Sequence, residues 1–482
     1  MNEGTGGRLR TIVLDSGVRP SPDPTPLAIG LAACLGLVGL ALAIMRLGVA
    51  VAWWVLGLSL AGLLVLLPEV CLGLLLTAGV FKSALMEILP FSIDPTVMLV
   101  LLQGVGVVLC LLRSGFSTIV PPQRLFVGFA LLAGVMLFSL LLSDANPYAR
   151  EKMVRFAFLT GTATVAPIAV VRSVRQFRRF LVTIIGLGVL MVLLGTVTGE
   201  GLVAFGATHI ATGRVVGFAL IGMLFFLLES WAVLPVRLFL IAGTGVLGLG
   251  LLYSGSRGSL VAFAAALVVT ALAAVSIGRG WRRTMSGLVV LVVAVIVVSL
   301  VAPAAAETMN HRMSDVFTRG RSVGSVLGRV RRAEEALELF RQHPVTGVGI
   351  GGFDAARGYS DALRGDYPHN IMLEVGCELG LLGVAALVFL VVSGVQLPIQ
   401  ALVRAQSRRD LALAATVLAS VVYFLVNAMF SGDLNDNRML FATIGLCWVL
   451  PKIGAQETSQ RQGAASQPRN QKLSRLSTTQ GS

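Results

Sequence analysis

Four residues of this sequence have side chains and settings suited to holding a phosphate and moving a proton. They are Arg214, Arg257 in Tyr-Ser-Gly-Ser-Arg-Gly, Arg329, and His369 in Asp-Tyr-Pro-His-Asn. Arginine suits phosphate better than lysine, because its planar fork holds two oxygens at once and keeps its proton. Arg214 and Arg257 are each expected at the mouth of an apolar run, at headgroup level, and the small residues beside Arg257 let a large headgroup approach. A single interfacial arginine can equally do no more than snorkel; three on one side weaken that reading for the set. His369 follows Pro368 and is expected in the first turn of a helix. There the positive end of the dipole disfavours imidazolium and keeps the ring neutral, as a general base requires. A lone interfacial histidine is more often an ordinary polar residue.

Beyond it, Asn370, Glu374 and Glu378 repeat every fourth residue on one helical face. Glu378 lies roughly 10 Å of helix below the entry. A carboxylate at that depth costs on the order of 2–3 kcal/mol unless it is paired or wetted. The stripe is therefore expected to face the bundle interior and support the site.

Other patterns carry less. Gly347, Gly349 and Gly352 satisfy G-x-G-x-x-G, but a helix ended by Pro344 precedes them, without the strand a dinucleotide site needs. They are expected to allow a tight turn or a close backbone approach. Ser256 lacks the upstream glycine of a nucleophile elbow, and the four histidines show no metal-ligand spacing. The five cysteines (Cys34, Cys71, Cys110, Cys377 and Cys447) fall inside apolar runs without a Cys-x-x-Cys pair, and read as small core residues.

The elements that must position these residues are membrane helices. Hydrophobic residues make up 56% of the chain, charged residues 13%, and the mean hydropathy is +0.86. A soluble domain carries roughly a quarter charged residues, so this surface lies against lipid. The net charge of +14 does not indicate nucleic acid, since the basic residues sit in short gaps between apolar runs, where they orient helices. The residues before Pro26 are polar and Pro-rich, with no small-residue cleavage site after a short apolar core, so a cleaved signal peptide is not expected. The apolar runs predict an all-α polytopic bundle of about 12–14 spans. Two of the runs are Pro26–Met45 and Thr284–Ala302; others are Met153–Val171, Val215–Ser230 and Ile371–Val392.

Short cytoplasmic loops accumulate Lys and Arg. One basic cluster is Arg172, Arg175, Arg178 and Arg179; a second is Arg279, Arg282 and Arg283; a third is Arg404, Arg408 and Arg409. Counting helices places all three, with the basic C-terminal tail, on one side. The intervals Thr198–Arg214, Tyr253–Gly258, Pro303–Asn370 and Ser431–Arg438 then face outward. The expected organisation is a cytoplasmic segment 1–25, membrane regions 26–302 and 371–451, a large outward loop 303–370, and a disordered cytoplasmic tail 452–482. Within the loop, Val326, Val330, Ala333, Leu337 and Phe340 recur at helical spacing. An Arg331/Glu335 pair supports that helix and Pro344 ends it. Arg329 lies about 60° from the centre of the apolar stripe, best placed to lean inward when the stripe docks on the bundle.

These residues resemble a known family. Gly328-Arg329, Glu335-Ala-Leu-Glu-Leu-Phe, His343-Pro344-Val-Thr-Gly347-Val-Gly349, Pro368-His369-Asn370 and Glu378-Leu-Gly380-Leu-Leu-Gly383 are similar in type and order to the O-antigen ligase and polymerase family. Ser256-Arg257-Gly258 opening an apolar helix also fits. The strong likeness spans about Arg329 to Gly383; elsewhere it is one of architecture. The resemblance implies a GT-C-like bacterial inner-membrane glycosyltransferase, with no metal or other cofactor and its active site on the periplasmic side. The donor would be an undecaprenyl-diphosphate-linked glycan, and the acceptor a lipid or another glycan, within lipopolysaccharide or other surface-polysaccharide biosynthesis. Membrane lipids would be partners; nucleic acid would not. By matching position, Arg257 and Arg329 would neutralise the diphosphate leaving group and His369 would deprotonate the acceptor. Arg214 would join them, although relatives with Asn-Pro after this arginine differ from the Arg214-Val-Val-Gly-Phe-Ala found here. Ligase, polymerase and protein O-glycosylation share this donor chemistry. Transport is the reading from another class, and the absence of a second copy of the Arg329–Gly383 region counts against it.

Overall fold

A computed structural model describes residues 49–88, 94–114, 123–142, 147–198, 201–229, 234–276, 321–357, 366–451 and 453. The expected runs Pro26–Met45 and Thr284–Ala302, the segment 1–25, the second basic cluster and nearly all of the tail lie outside these residues. The chain forms two compact units, 1–66 and 67–482. The first contributes α1 (Val49–Leu66), an apolar helix of 18 residues.

The second unit begins with α2 (Pro68–Ile88), α3 (Pro95–Ser114) and α4 (Gln123–Leu142). Next, α5 (Pro147–Arg155) runs through a π-helical turn, Phe156–Thr160, into α6 (Gly161–Val170). Then come α7 (Val174–Leu194), a hairpin of β1 (Thr196–Thr198) and β2 (Gly201–Val203), α8 (His209–Glu229), α9 (Leu234–Tyr253) and α10 (Arg257–Ser276). After the residues not described lie α11 (Arg321–Gln342), the single turn α12 (Phe353–Ala356), α13 (Ile371–Arg404), α14 (Arg408–Ala428) and α15 (Arg438–Cys447). Nine helices among the described residues are long and apolar enough to cross a membrane, as an all-α polytopic bundle requires. The hairpin, pairing Thr196 with Val203, is a small departure where an expected apolar run passes into an expected loop.

Local chemistry starts and stops these helices. Ser173 caps α7 by accepting from the Gln176 amide, and Ser407 forms a reciprocal capping box with Asp410 at the start of α14. α8 and α14 are the most enclosed spans. They meet where Gly217 lets the Tyr423 ring come close, and small residues permit such approach between membrane helices. The Tyr423 hydroxyl donates toward the Gly213 and Arg214 carbonyls, at 3.2 and 3.0 Å.

The charge clusters sort by end. Arg178 and Arg409, from two different basic clusters, both pair with Glu229, and Arg179 reaches Glu69 at 3.1 Å. At the other end the four expected outward intervals touch one another. Arg214 donates to the Ser431 carbonyl (2.5 Å), Asn370 to the Met429 carbonyl (3.1 Å), and Gly213 abuts Ser256.

α13 has 34 residues, about 51 Å of helix, far more than the roughly 30 Å hydrocarbon core of a bilayer. It is broken at Gly380, where φ is 65° and ψ is −161°, a conformation open to glycine and strained for other residues. The break frees backbone groups, and the segment after Pro344 satisfies them. Val348 and Gly349 donate to the Cys377 and Glu378 carbonyls at 2.9 Å, while the Leu381 and Leu382 amides donate to Pro344 and Val345 at 2.8 and 3.4 Å. A side chain at Gly347 would collide with the Glu378 backbone, and one at Gly380 with the Val345 carbonyl. The close backbone approach expected of the loop glycines is thus made onto a broken helix, whose freed backbone groups the strap satisfies.

Candidate active site

His369 sits at the loop-rich end, one residue before the cap of α13, with φ 57°. It is therefore outside the first helical turn, contrary to the expectation. Asn370 is the cap: its side-chain oxygen accepts from the Met372 and Leu373 amides at 2.9 and 3.2 Å. Its amide nitrogen meanwhile ties the helix start to Met429. The strained backbone of His369 is held by Asn370 on one side and by Tyr367 on the other, whose ring lies 4.4 Å from the imidazole. The His369 Nδ1 is buried and has no hydrogen-bond partner among the described residues. Burial pushes the His369 pKa below its ordinary value, and the charges of Arg332 and Arg329 push it further down, against a weaker pull from Asp366. The ring is kept neutral by burial and two guanidinium groups.

Those arginines come from α11, whose docking differs from the expected one. Ala336 is buried with Phe353 and Cys377, and Leu339 packs beside them. Arg332 donates to Asp366 at 2.7 Å, while Arg357 bridges Asp366 and Glu335 at 3.0 and 2.6 Å. Burial would raise the Asp366 carboxyl, but the hydrogen bonds from Arg332 and Arg357 overturn this and hold it below the usual range. Val330 and Leu337, two of the five residues of the expected docking stripe, are instead 47% and 42% exposed. The docking face is turned by roughly 100°, one residue's step. Arg329 lies one heptad before Ala336, on the body side of the helix, and is exposed; its charge still bears on His369. The expected Arg331–Glu335 pair forms at 2.8 Å, and α11 ends two residues before Pro344.

Arg214 lies in the second turn of α8, because that helix begins at His209 and not beyond Arg214 as the hydropathy suggested. Gly432 has positive φ and packs against the Arg214 guanidinium. Arg257 is the first residue of α10. It follows Ser256, whose hydroxyl bonds Ser259 at 3.0 Å; Ser259 in turn bonds Asn427 at 3.2 Å. Since Ser256 faces Gly213, the backbones of Arg257 and Arg214 run side by side. Three of the expected residues, Arg214, Arg257 and His369, thus stand on connected elements of one end, and Arg329 adds its field from above.

Glu374 and Glu378 are buried as expected, and they hold a residue the sequence reading missed. Lys152 of α5, 1% exposed, places its Nζ 2.6 Å from a carboxylate oxygen of each glutamate. Glu378 also accepts from the Gly351 amide at 2.9 Å, and Glu374 from the Leu434 amide at 3.2 Å. Asn435 donates to the Lys152 carbonyl at 3.0 Å. The triad therefore joins α5, the first half of α13, the strap after Pro344 and the 431–437 loop. Two carboxylates one turn apart in an apolar helix do signal a missing cation; nothing local says that Lys152 is it. Among the described residues no group of three or more His, Cys, Asp or Glu side chains could hold a metal ion.

A multi-pass helical membrane protein with its buried charge, arginines and a strained histidine collected at one end is the class that fold and site define. Residues 242–388 match the family model described as O-antigen ligase, the family that the motifs resemble. The match takes in Arg257, Arg329, the strap, His369 and both glutamates, whereas Lys152 and Arg214 precede it. No match was found among curated proteins. Residues 242–388 are thus similar to an O-antigen ligase domain, which supports a membrane glycosyltransferase-like enzyme of the O-antigen ligase type.

Proposed function

We propose that the protein transfers a glycan from undecaprenyl diphosphate to an acceptor hydroxyl at the periplasmic face of a bacterial inner membrane, with a lipid A-core type of acceptor. His369 takes the proton of the acceptor hydroxyl as its oxygen attacks the anomeric carbon. The bond from that carbon to the diphosphate oxygen breaks, and the electron pair leaves with undecaprenyl diphosphate. Arg257, Arg329 and Arg214 stabilise the negative charge growing on that oxygen. The lipid diphosphate already carries the activation, so arginines and one neutral imidazole suffice. Asn370, Glu374 and Glu378 support the histidine by fixing the start of α13.

The observation that carries this reading is the setting of His369: strained, half-buried, with a ring nitrogen that has no partner among the described residues and two arginine charges bearing on it. Orientation is supported by the shared basic end of Arg178 and Arg409. The test uses purified protein in nanodiscs, an undecaprenyl-diphosphate-linked glycan and two acceptors. Product on a core lipid is expected; a lengthened carrier-linked chain would instead assign a polymerase, and the absence of both products would refute transfer. His369→Ala and Arg257→Ala should each abolish transfer while leaving expression and folding intact. Activity retained by the His369 variant would remove the base.

A further inference from the structure

Part of the apolar stripe of α11, Val330 and Leu337, faces away from the protein body, while Ala333 and Phe340 stay half-buried. A helix beside an aqueous compartment normally turns such a stripe inward; here the inward side carries Arg332, Glu335 and Ala336, and Val330 and Leu337 are left outside. They are seven residues apart, hence within about 20° of each other around the helix. Val345, just past the end of α11, is likewise exposed.

The height of this stripe is fixed by the strap. Pro344 and Val345 accept from the Leu381 and Leu382 amides, the first residues after the Gly380 break. The stretch from Leu381 to Arg404 is about 36 Å of helix, enough to cross the roughly 30 Å hydrocarbon core with a small tilt. Leu381 and Leu382 are exposed on the protein's outer surface, where a membrane helix meets lipid. Val345 therefore sits at the edge of the lipid belt, and Leu337 lies about 12 Å back along the chain if measured as helix. The charged residues around the stripe are Glu334, Glu338 and Arg341, with Arg331 farther round. Arg341 adjoins the Val345 end and suits phosphate headgroups.

We infer that α11 lies on the outer leaflet of the membrane, with Val330, Leu337 and Val345 inserted at the boundary between headgroups and acyl chains. The helix is then an interfacial one, and the same placement holds Arg329 at the level of lipid phosphates. The inference does not depend on the transfer chemistry: a helix in lipid with an inactive enzyme, or an active enzyme with a helix in water, would separate the two.

The test is site-specific quenching. The full chain is reconstituted in nanodiscs of phosphatidylethanolamine and phosphatidylglycerol containing a lipid spin-labelled near its headgroup. An environment-sensitive fluorophore is attached in turn to Val330→Cys, Leu337→Cys and Glu338→Cys, with the labelled parent chain as background. Quenching at 330 and 337 is expected to exceed that at 338 by at least about twofold, with blue-shifted emission, as for a helix whose apolar face is buried in the interface. Equal, weak quenching at all three positions would overturn the inference. So would a disulfide between Leu337→Cys residues of two copies, which would assign the face to a second molecule.

Discussion

Replacing Lys152 with methionine removes the only cation in contact with Glu374 and Glu378 among the described residues, and all three side chains are nearly inaccessible. The amides of Gly351 and Leu434 remain as donors, but they do not neutralise two carboxylates one helical turn apart. Removing one member of such a buried assembly costs about 3–5 kcal/mol, because the remaining charge is left uncompensated. Lys152→Met should therefore lower the detergent-unfolding midpoint strongly in a titration followed by tryptophan fluorescence. The triple variant Lys152→Met, Glu374→Gln, Glu378→Gln carries no charge there and keeps an oxygen to accept each amide. It should recover most of the loss, down to about 1–2 kcal/mol for imperfect hydrogen bonding. An unchanged midpoint in the single variant, or a triple variant no better than the single, would refute the claim that this triad holds the first half of α13 in place.

Other outcomes follow from the same geometry. As a base held below its ordinary pKa by burial, Arg332 and Arg329, His369 stays neutral until the pH falls past its lowered value, so the acid limb of kcat/KM should lie below the usual histidine range. Arg332→Gln removes a repelling charge and leaves Asp366 paired with Arg357 alone, so that it attracts the proton more; both effects raise the His369 pKa, and the limb should move to higher pH. A limb that stays put or moves down would show that His369 is not the titrating base. Gly380→Ala should abolish folding, since the left-handed backbone costs about 1–3 kcal/mol for a side chain and the Cβ strikes the Val345 carbonyl; normal expression of well-folded protein would contradict the strap. His369→Ala should leave that unfolding midpoint near the wild-type value, separating a lost base from a lost fold.

What the sequence made legible was local or periodic. Hydropathy located the spans, basic clusters sorted their ends, and the Glu374–Glu378 spacing showed that this face must turn to the bundle interior, paired or wetted. Lys152 escaped because its pairing joins residues more than two hundred positions apart, and because α5 begins with polar residues that read as loop. Arg214 escaped its helix for a similar reason: the polar first turn from His209 carries no apolar period. The cap at Asn370 is a local feature that the sequence does encode, and it is what moves His369 out of the helix.

The turned face of α11 has a different cause. In a soluble protein an apolar stripe has one place to go, so periodicity gives direction. Beside a membrane it has two, the protein body and the lipid, and hydropathy scores them alike. Polar pairing breaks the tie: Arg332 and Glu335 find Asp366 and Arg357 only on the body side, and the acyl chains offer no equivalent for a carboxylate. The helix is therefore oriented by its charges together with Ala336 and Leu339, and Val330 and Leu337 are the apolar residues left outside. That order of precedence also places Arg332 and Arg329 over His369, so the ion pairs that fix the helix help to set the basicity of the candidate base.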